Sequence, residues 1–176
     1  PDTPTILIVE DEQKLAGLEA DYLAAAGYRH HWLAEGAGVA ADQVILFGKS
    51  LGGPVAAETA MHCQPRAVIL ESTFSSARDF AAQAFPLLSR LLLMRYRFDT
   101  AASLRAVRCP VLVLHSREDE IMPFALGEKV YAAAGEPKRL VKLQGDHNGG
   151  FLLSQPGYER EMDDFITRYL GAEERD

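Results

Sequence analysis

Short runs rich in β-branched and aliphatic residues recur along the chain at 5–9, 44–47, 67–70, 110–114 and 140–143. Most are not interrupted by polar residues, so they predict strands buried on both faces, as in parallel sheets. Between them, apolar residues return at helical spacing. Residues 12–26 carry Leu15, Leu18, Tyr22 and Leu23 and stop at Gly27. A helix opens near Pro54, a residue tolerated in a first turn. Residues 76–95 are apolar on one side through Phe80, Phe85, Leu88, Leu91 and Leu92. A short helix over 100–107 has Asp99 as its N-cap. Further helices cover 124–134 and 157–170, the last with Tyr158, Met162, Phe165, Ile166, Tyr169 and Leu170 on one face. Residues 28–35 admit two readings, a second strand or a continuation of the first helix. If 28–34 form a strand on the far side of the first, only about eight residues return to the strand at 44, where parallel crossovers usually take a dozen or more. Strands alternating with helices predict an α/β fold, a three-layer, doubly wound, mostly parallel sheet of about five strands.

Composition narrows the class. A chain of 176 residues with 48% apolar and 24% charged residues fits a single packed domain spanning 1–176. The net charge of −7 weighs against nucleic acid and against anionic membrane surfaces as partners. No apolar run has the length of a membrane span, since the greasiest stretch, 85–94, is broken by Pro86, Ser89 and Arg90. Residues 1–12 do not read as a signal peptide. The two cysteines, Cys63 and Cys109, lack metal-ligand spacing and are expected to stay reduced. The expectation is a cytoplasmic protein without a cofactor.

The candidate chemistry centres on Gly48-Lys49-Ser50-Leu51-Gly52, which follows the run 44–47 and precedes a helix. This is the G-x-S-x-G pattern of a nucleophile elbow. A serine at a sharp strand-to-helix turn sits at strained φ/ψ, so Gly48 and Gly52 supply the room it needs. The helix N-terminus brings backbone N–H groups beside the serine oxygen. A glycine-rich turn with a bystander serine has the same pentapeptide; the strand before and helix after favour the elbow. Two more titratable residues lie just past strand ends, where open α/β sheets bind ligands. Asp119 follows the run 110–114 and His147 follows 140–143. Taken singly, Asp119 could be one solvated carboxylate among Glu118 and Glu120, and His147 a turn residue. Together, the order Ser, Asp, His is that of an α/β-hydrolase triad, with His147 as base and Asp119 holding its tautomer. His30, His31 and His62 read as surface or partly packed residues, and His115 as packed at a strand end.

Residues 38–170 resemble the C-terminal part of an α/β-hydrolase of the esterase and prolyl-oligopeptidase-like kind. The carrying motifs are Gly48-Lys49-Ser50-Leu51-Gly52-Gly53, Leu114-His115-Ser116-Arg117-Glu118-Asp119-Glu120-Ile121-Met122-Pro123 and Gly145-Asp146-His147-Asn148. The resemblance implies Ser50 as nucleophile, Asp119 as triad acid, His147 as base and the Leu51 N–H as one oxyanion donor. Residues 4–37, from Pro4-Thr5-Ile6-Leu7-Ile8-Val9-Glu10-Asp11-Glu12 to Leu33-Ala34-Glu35-Gly36, instead resemble the start of a response-regulator receiver domain, which is flavodoxin-like. In that family an acidic cluster, here Glu10 and Asp11, helps hold Mg²⁺. The place of the phosphoacceptor aspartate holds Gly48-Lys49-Ser50, and the later lysine is missing after Leu114, so phosphorelay function is not implied.

The chain thus reads as a splice of a receiver-like segment, 1–37, with a hydrolase-like segment, 38–176. Such modularity points to an engineered chimera, with natural recombination as the alternative. The loop that gives such hydrolases a second oxyanion N–H has no counterpart here, and Glu10-Asp11-Glu12 stands in its place. The expected function is a carboxylesterase-like serine hydrolase with a Ser-His-Asp triad, an incomplete oxyanion hole and weak or no activity on small esters. The alternatives are a designed or recombined scaffold without catalysis, and a degenerate receiver binding a divalent metal at Glu10 and Asp11. Early strands of the hydrolase pattern also have no counterpart here, and the core surface they would cover, with the apolar segment 85–94, leads us to expect a homodimer.

Overall fold

The structure, a computed structural model, describes residues 5–9, 24, 29–32, 40–84 and 98–170. Six strands form one sheet in the order β2-β1-β3-β4-β5-β6, and every neighbouring pair is parallel. They are β1 (Thr5–Val9), β2 (Arg29–Trp32), β3 (Val44–Lys49), β4 (Ala67–Glu71), β5 (Val111–Ser116) and β6 (Lys138–Leu143). The described helices are α1 (Gly52–Cys63), α2 (Ala77–Ala84), α3 (Thr100–Leu104), α4 (Phe124–Ala133), α5 (Gly150–Leu153) and α6 (Gly157–Leu170).

The continuous apolar runs have the consequence expected of them. Every residue of β3, β4 and β5 is buried. Alternate side chains serve opposite faces, as strand geometry requires. Leu46, Val68, Leu70, Val111 and Val113 pack against Ala56, Ala57 and Ala60 of α1, Leu104 of α3 and Val130 of α4. Ile45, Phe47, Ile69, Leu112 and Leu114 pack against Tyr158, Met162, Phe165 and Ile166 of α6. The alanines of α1 let that helix lie close over β3, which fixes the turn between them. The result is three layers, helix–sheet–helix, with β3 inside the sheet between β1 and β4.

Of the two readings of 28–35 the strand holds: Arg29–Trp32 pairs with the far side of β1 and completes a sheet of six strands, close to the five or so expected. The link from β2 back to β3 is therefore 33–43, of which Ala40 and the 3-10 turn Ala41–Gln43 are described. The helix expected over 100–107 ends at Leu104, after which Ala106 and Val107 donate to the carbonyls three residues back, at 3.0 and 3.2 Å. Its Asp99 cap holds, accepting from the Ala102 N–H at 2.9 Å. The last strand starts at Lys138, opposite Val111, because the edge position lets polar residues join the ladder. The helix at 12–26, apart from Ala24, and the apolar segment 85–94 lie outside the described residues.

Candidate active site

β3 delivers the chain into a tight turn at its carboxyl end. Ser50 adopts φ 50°, in the left-handed region. For a residue with a Cβ this conformation costs on the order of 1–2 kcal/mol, so something must hold it. The Ser50 N–H donates to the Glu71 carbonyl at 3.0 Å, and the Gly53 N–H donates to the Ser50 carbonyl at 3.2 Å. The Thr73 hydroxyl also donates to the Ser50 carbonyl, at 2.7 Å. The neighbours allow nothing larger. A Cβ on Gly48 would lie 2.6 Å from the Ala56 Cβ and 2.7 Å from the Gly52 carbonyl oxygen. On the helix side the tight approach is at Gly53, where a Cβ would lie 2.1 Å from the Thr73 Oγ1. Leu51 is half exposed at the N-terminus of α1. Among the described residues, no backbone hydrogen bond outside the helices and strands uses its N–H.

The loops after β5 and β6 bring the other two residues to the same edge. The Ser50 Oγ lies 3.0 Å from His147 Nε2. His147 Nδ1 lies 2.8 Å from Asp119 Oδ2 and 3.0 Å from Oδ1. Asp119 and His147 are both buried, and Ser50 is half-buried. Asp119 Oδ1 also accepts from the Ile121 and Met122 N–H groups, at 3.0 and 2.7 Å. Burial alone would raise the Asp119 carboxyl. Hydrogen bonds from His147 and Met122, with the electrostatic pull of the His147 and His115 rings, outweigh it and hold the carboxyl below its ordinary value. An ionised Asp119 requires a proton on His147 Nδ1, which leaves Nε2 to accept from the serine hydroxyl. Glu120 adds a tie between the loops, its Oε2 accepting from the His147 N–H at 3.1 Å.

A buried polar layer lies behind these residues, and the sequence reading did not single it out. Lys49 Nζ lies 3.3 Å from Glu71 Oε1, and both side chains are almost fully buried. The Tyr158 hydroxyl donates to Glu71 Oε2 at 2.7 Å. Lys49 also sits over the Phe151 ring, 5.2 Å from its centroid. A charged pair is retained in such a place only when its remaining bonding capacity is met. Glu71 therefore serves the elbow twice, through its carbonyl to Ser50 and its carboxylate to Lys49. The only hint in the sequence is a lysine and a glutamate each closing an apolar strand, a pattern surface residues share.

Other candidates separate from the site. Glu10 and Asp11 lie outside the described residues, as do the side chains of His30 and His31. His62 is exposed, Cys63 is exposed and Cys109 is partly buried, both cysteines being free. Among the described residues, no group of three or more His, Cys, Asp or Glu could hold a metal ion. No helix among them is long and apolar enough to cross a membrane.

Comparison with known proteins places this architecture. The fold is α/β-hydrolase-like. The chain superimposes on the esterase domain of a Rhodothermus marinus protein with a TM-score of 0.67 at 20% identity, covering 96% of this chain and 88% of that one. It superimposes on an acetyl ester-xyloside bifunctional hydrolase from Caldicellulosiruptor lactoaceticus with a TM-score of 0.73 at 13% identity, covering 95% and 83%. In sequence it is 36% identical over 155 residues to the uncharacterized protein Rv2307c of Mycobacterium tuberculosis, covering 88% of this chain and 52% of the relative. That match is longer than residues 38–176, so it reaches into the opening segment. It is 34% identical to the uncharacterized protein YfhR of Salmonella typhi, covering 89% and 56%. It is 30% identical to the lysophosphatidylserine lipase ABHD12 of Danio rerio, covering 70% and 36%. The chain thus spans about half the length, or less, of the curated relatives it matches. No protein-family model matches it.

Proposed function

We propose that this chain is a serine hydrolase that cleaves small, activated carboxylic esters through an acyl-Ser50 intermediate. The observation that carries the reading is the continuous relay Ser50 Oγ–His147 Nε2 and His147 Nδ1–Asp119, at 3.0 and 2.8 Å, beginning at a serine with φ 50°. His147 takes the Ser50 proton as Oγ attacks the ester carbonyl. The oxyanion forms near the Leu51 N–H, at the positive end of α1. Collapse of the tetrahedral adduct expels the alkoxide, which takes the proton from His147. Water, deprotonated by His147, then releases the acid and restores Ser50.

The rate is expected to be low. β1 lies beside β3 with Val9 opposite Gly48, and the sequence continues Glu10-Asp11-Glu12 in place of the His-Gly-rich stretch from which such hydrolases often take a second oxyanion donor. Loss of one oxyanion donor typically costs about a hundredfold to a thousandfold. This observation also favours the second reading, a recombined α/β scaffold without catalysis. A receiver-like origin for residues 4–37 rests on their sequence, whereas the reach of the Rv2307c match favours common descent.

A fluorophosphonate probe with p-nitrophenyl acetate turnover tests the proposal. Labelling and turnover that both disappear in Ser50→Ala are expected. Equal hydrolysis by parent and Ser50→Ala, with no labelling, overturns the hydrolase reading in favour of the scaffold.

A further inference from the structure

His115 is a fully buried histidine that the relay above does not use. It is the last residue but one of β5, four residues before Asp119. Its Nε2 lies 2.6 Å from the Met122 carbonyl oxygen. A carbonyl can only accept, so the proton sits on Nε2. The same nitrogen is 3.7 Å from Asp119 Oδ2, too long for a hydrogen bond but close enough for the N–H dipole to favour the carboxylate. The other ring nitrogen, Nδ1, is buried without a hydrogen-bond partner among the described residues. A Cβ on Gly127 of α4 would lie 2.3 Å from it, so no side chain fits between the ring and the helix. Phe124 meets the ring edge to face, centroids 5.8 Å apart. An orphaned buried nitrogen is unfavourable, and a hydrophobic residue of similar shape would avoid that cost.

We infer that His115 is a positioning residue for the Ser50–His147–Asp119 relay: in its neutral Nε2–H form it clamps the Met122 carbonyl and so fixes the turn that aims Asp119 at His147. The Met122 peptide unit neighbourhood is then held at two points. Its N–H donates to Asp119 Oδ1 at 2.7 Å, and its carbonyl accepts from His115. With Oδ1 occupied by the Ile121 and Met122 N–H groups, Oδ2 makes the shortest contact with His147. Protonation of His115 would put a charge on Nδ1 against α4, where no acceptor waits. Burial accordingly pushes its pKa below the ordinary 6.5, against the opposing pull of the Met122 carbonyl and Asp119. The other ionisable groups acting on it are His147, which lowers it, and Glu71, which raises it. The role rests on the hydrolase reading for its catalytic consequence, but its geometric content can be tested separately.

The test compares the parent with His115→Phe, which keeps a ring without a donor, and His115→Gln, whose amide can still donate. In the parent, nitrogen NMR is expected to find His115 as the Nε2–H tautomer with a slowly exchanging ring proton; an Nδ1–H tautomer overturns the clamp without any variant. In His115→Phe, the His147 Nδ1–H proton, held at 2.8 Å from Asp119 Oδ2 in the parent, is expected to exchange faster with water in NMR spectra, because its carboxylate partner is less well held. Turnover of p-nitrophenyl acetate should fall about 10- to 100-fold in kcat with KM little changed. His115→Gln should keep most of both. A folded His115→Phe protein with the parent's His147 Nδ1–H exchange and kcat shows that His115 only packs. A parent without turnover defeats the hydrolase reading, while the NMR comparison still decides whether His115 positions Asp119.

Discussion

Asp119 and His147 stand 28 residues apart in sequence, yet the carboxylate and the imidazole meet with Nδ1 2.8 Å from Oδ2. The two loops that carry them are bound at other points. Glu120 Oε2 accepts from the His147 N–H, Glu118 Oε2 accepts from the Gly145 N–H at 3.2 Å, and the Ser116 hydroxyl bonds the Gly145 carbonyl. The acidic run 118–120 therefore does structural work at every position. Glu118 and Glu120 hold backbone, and Asp119 alone turns inward.

Asp119→Asn leaves the shape of that contact but presents an amide to Nδ1, which favours the wrong tautomer of His147. In serine hydrolases of this arrangement the loss is about 10⁴-fold in kcat. The expected outcome is near-complete loss of fluorophosphonate labelling rate at neutral pH, with far-ultraviolet circular dichroism unchanged.

Stability should depend on pH through the same residues. The folded pKa of His115 lies below 6.5 and that of Asp119 below 3.8, so the unfolded chain binds more protons in acid. The His115 contribution is complete above about pH 6.5 and is lost as pH falls from there towards the folded pKa. The Asp119 contribution is complete above about pH 3.8 and is lost below it. Melting temperature should fall in two windows, and His115→Gln should flatten the upper one alone. An unchanged upper window in that variant would contradict the assignment.

Glu71→Gln removes the carboxylate facing the buried Lys49 ammonium, 3.3 Å away. Removing one partner of a buried pair typically costs about 3–5 kcal/mol. Urea denaturation should show a loss of that size. A loss below about 1 kcal/mol, the value of an exposed pair, would show that the pair is hydrated in solution.

Gly53→Ala forces a Cβ against Thr73, whose hydroxyl holds the Ser50 carbonyl. Overpacking of this kind costs about 1–3 kcal/mol. Because the displaced group supports the elbow, turnover should fall more than in Thr73→Val, which loses the hydroxyl without the crowding. Parallel kcat and denaturation measurements separate the two effects.

Leu152 and Leu153 are 62% and 65% exposed on α5, directly after the His147 loop. Adjacent exposed leucines favour association. We predict a concentration-dependent dimer by light scattering, abolished by Leu152→Glu with Leu153→Glu. A monomeric mass for the parent across a wide concentration range would refute it.

The sequence by itself determined the strands, because a strand buried on both faces is apolar along most of its length; the runs at 44–47, 67–70 and 110–114 lie in three interior strands of the sheet. It also determined the turn at Ser50, since the glycines around it are the residues that leave room for a left-handed serine beside Ala56 and Thr73. Only the tertiary structure decided between strand and helix at 28–35, because Arg29–Trp32 lack a period of their own and take their conformation from pairing with β1. It alone turned Asp119 inward among three consecutive acidic residues. It alone made Lys49, Glu71 and His115 interior groups, since burial of a charge depends on partners such as Tyr158 and Met122 that local sequence does not bring together. The common reason is range: hydrophobic period and steric room are local properties of the chain, whereas the environment of a polar side chain is set by segments that meet only when the sheet is assembled.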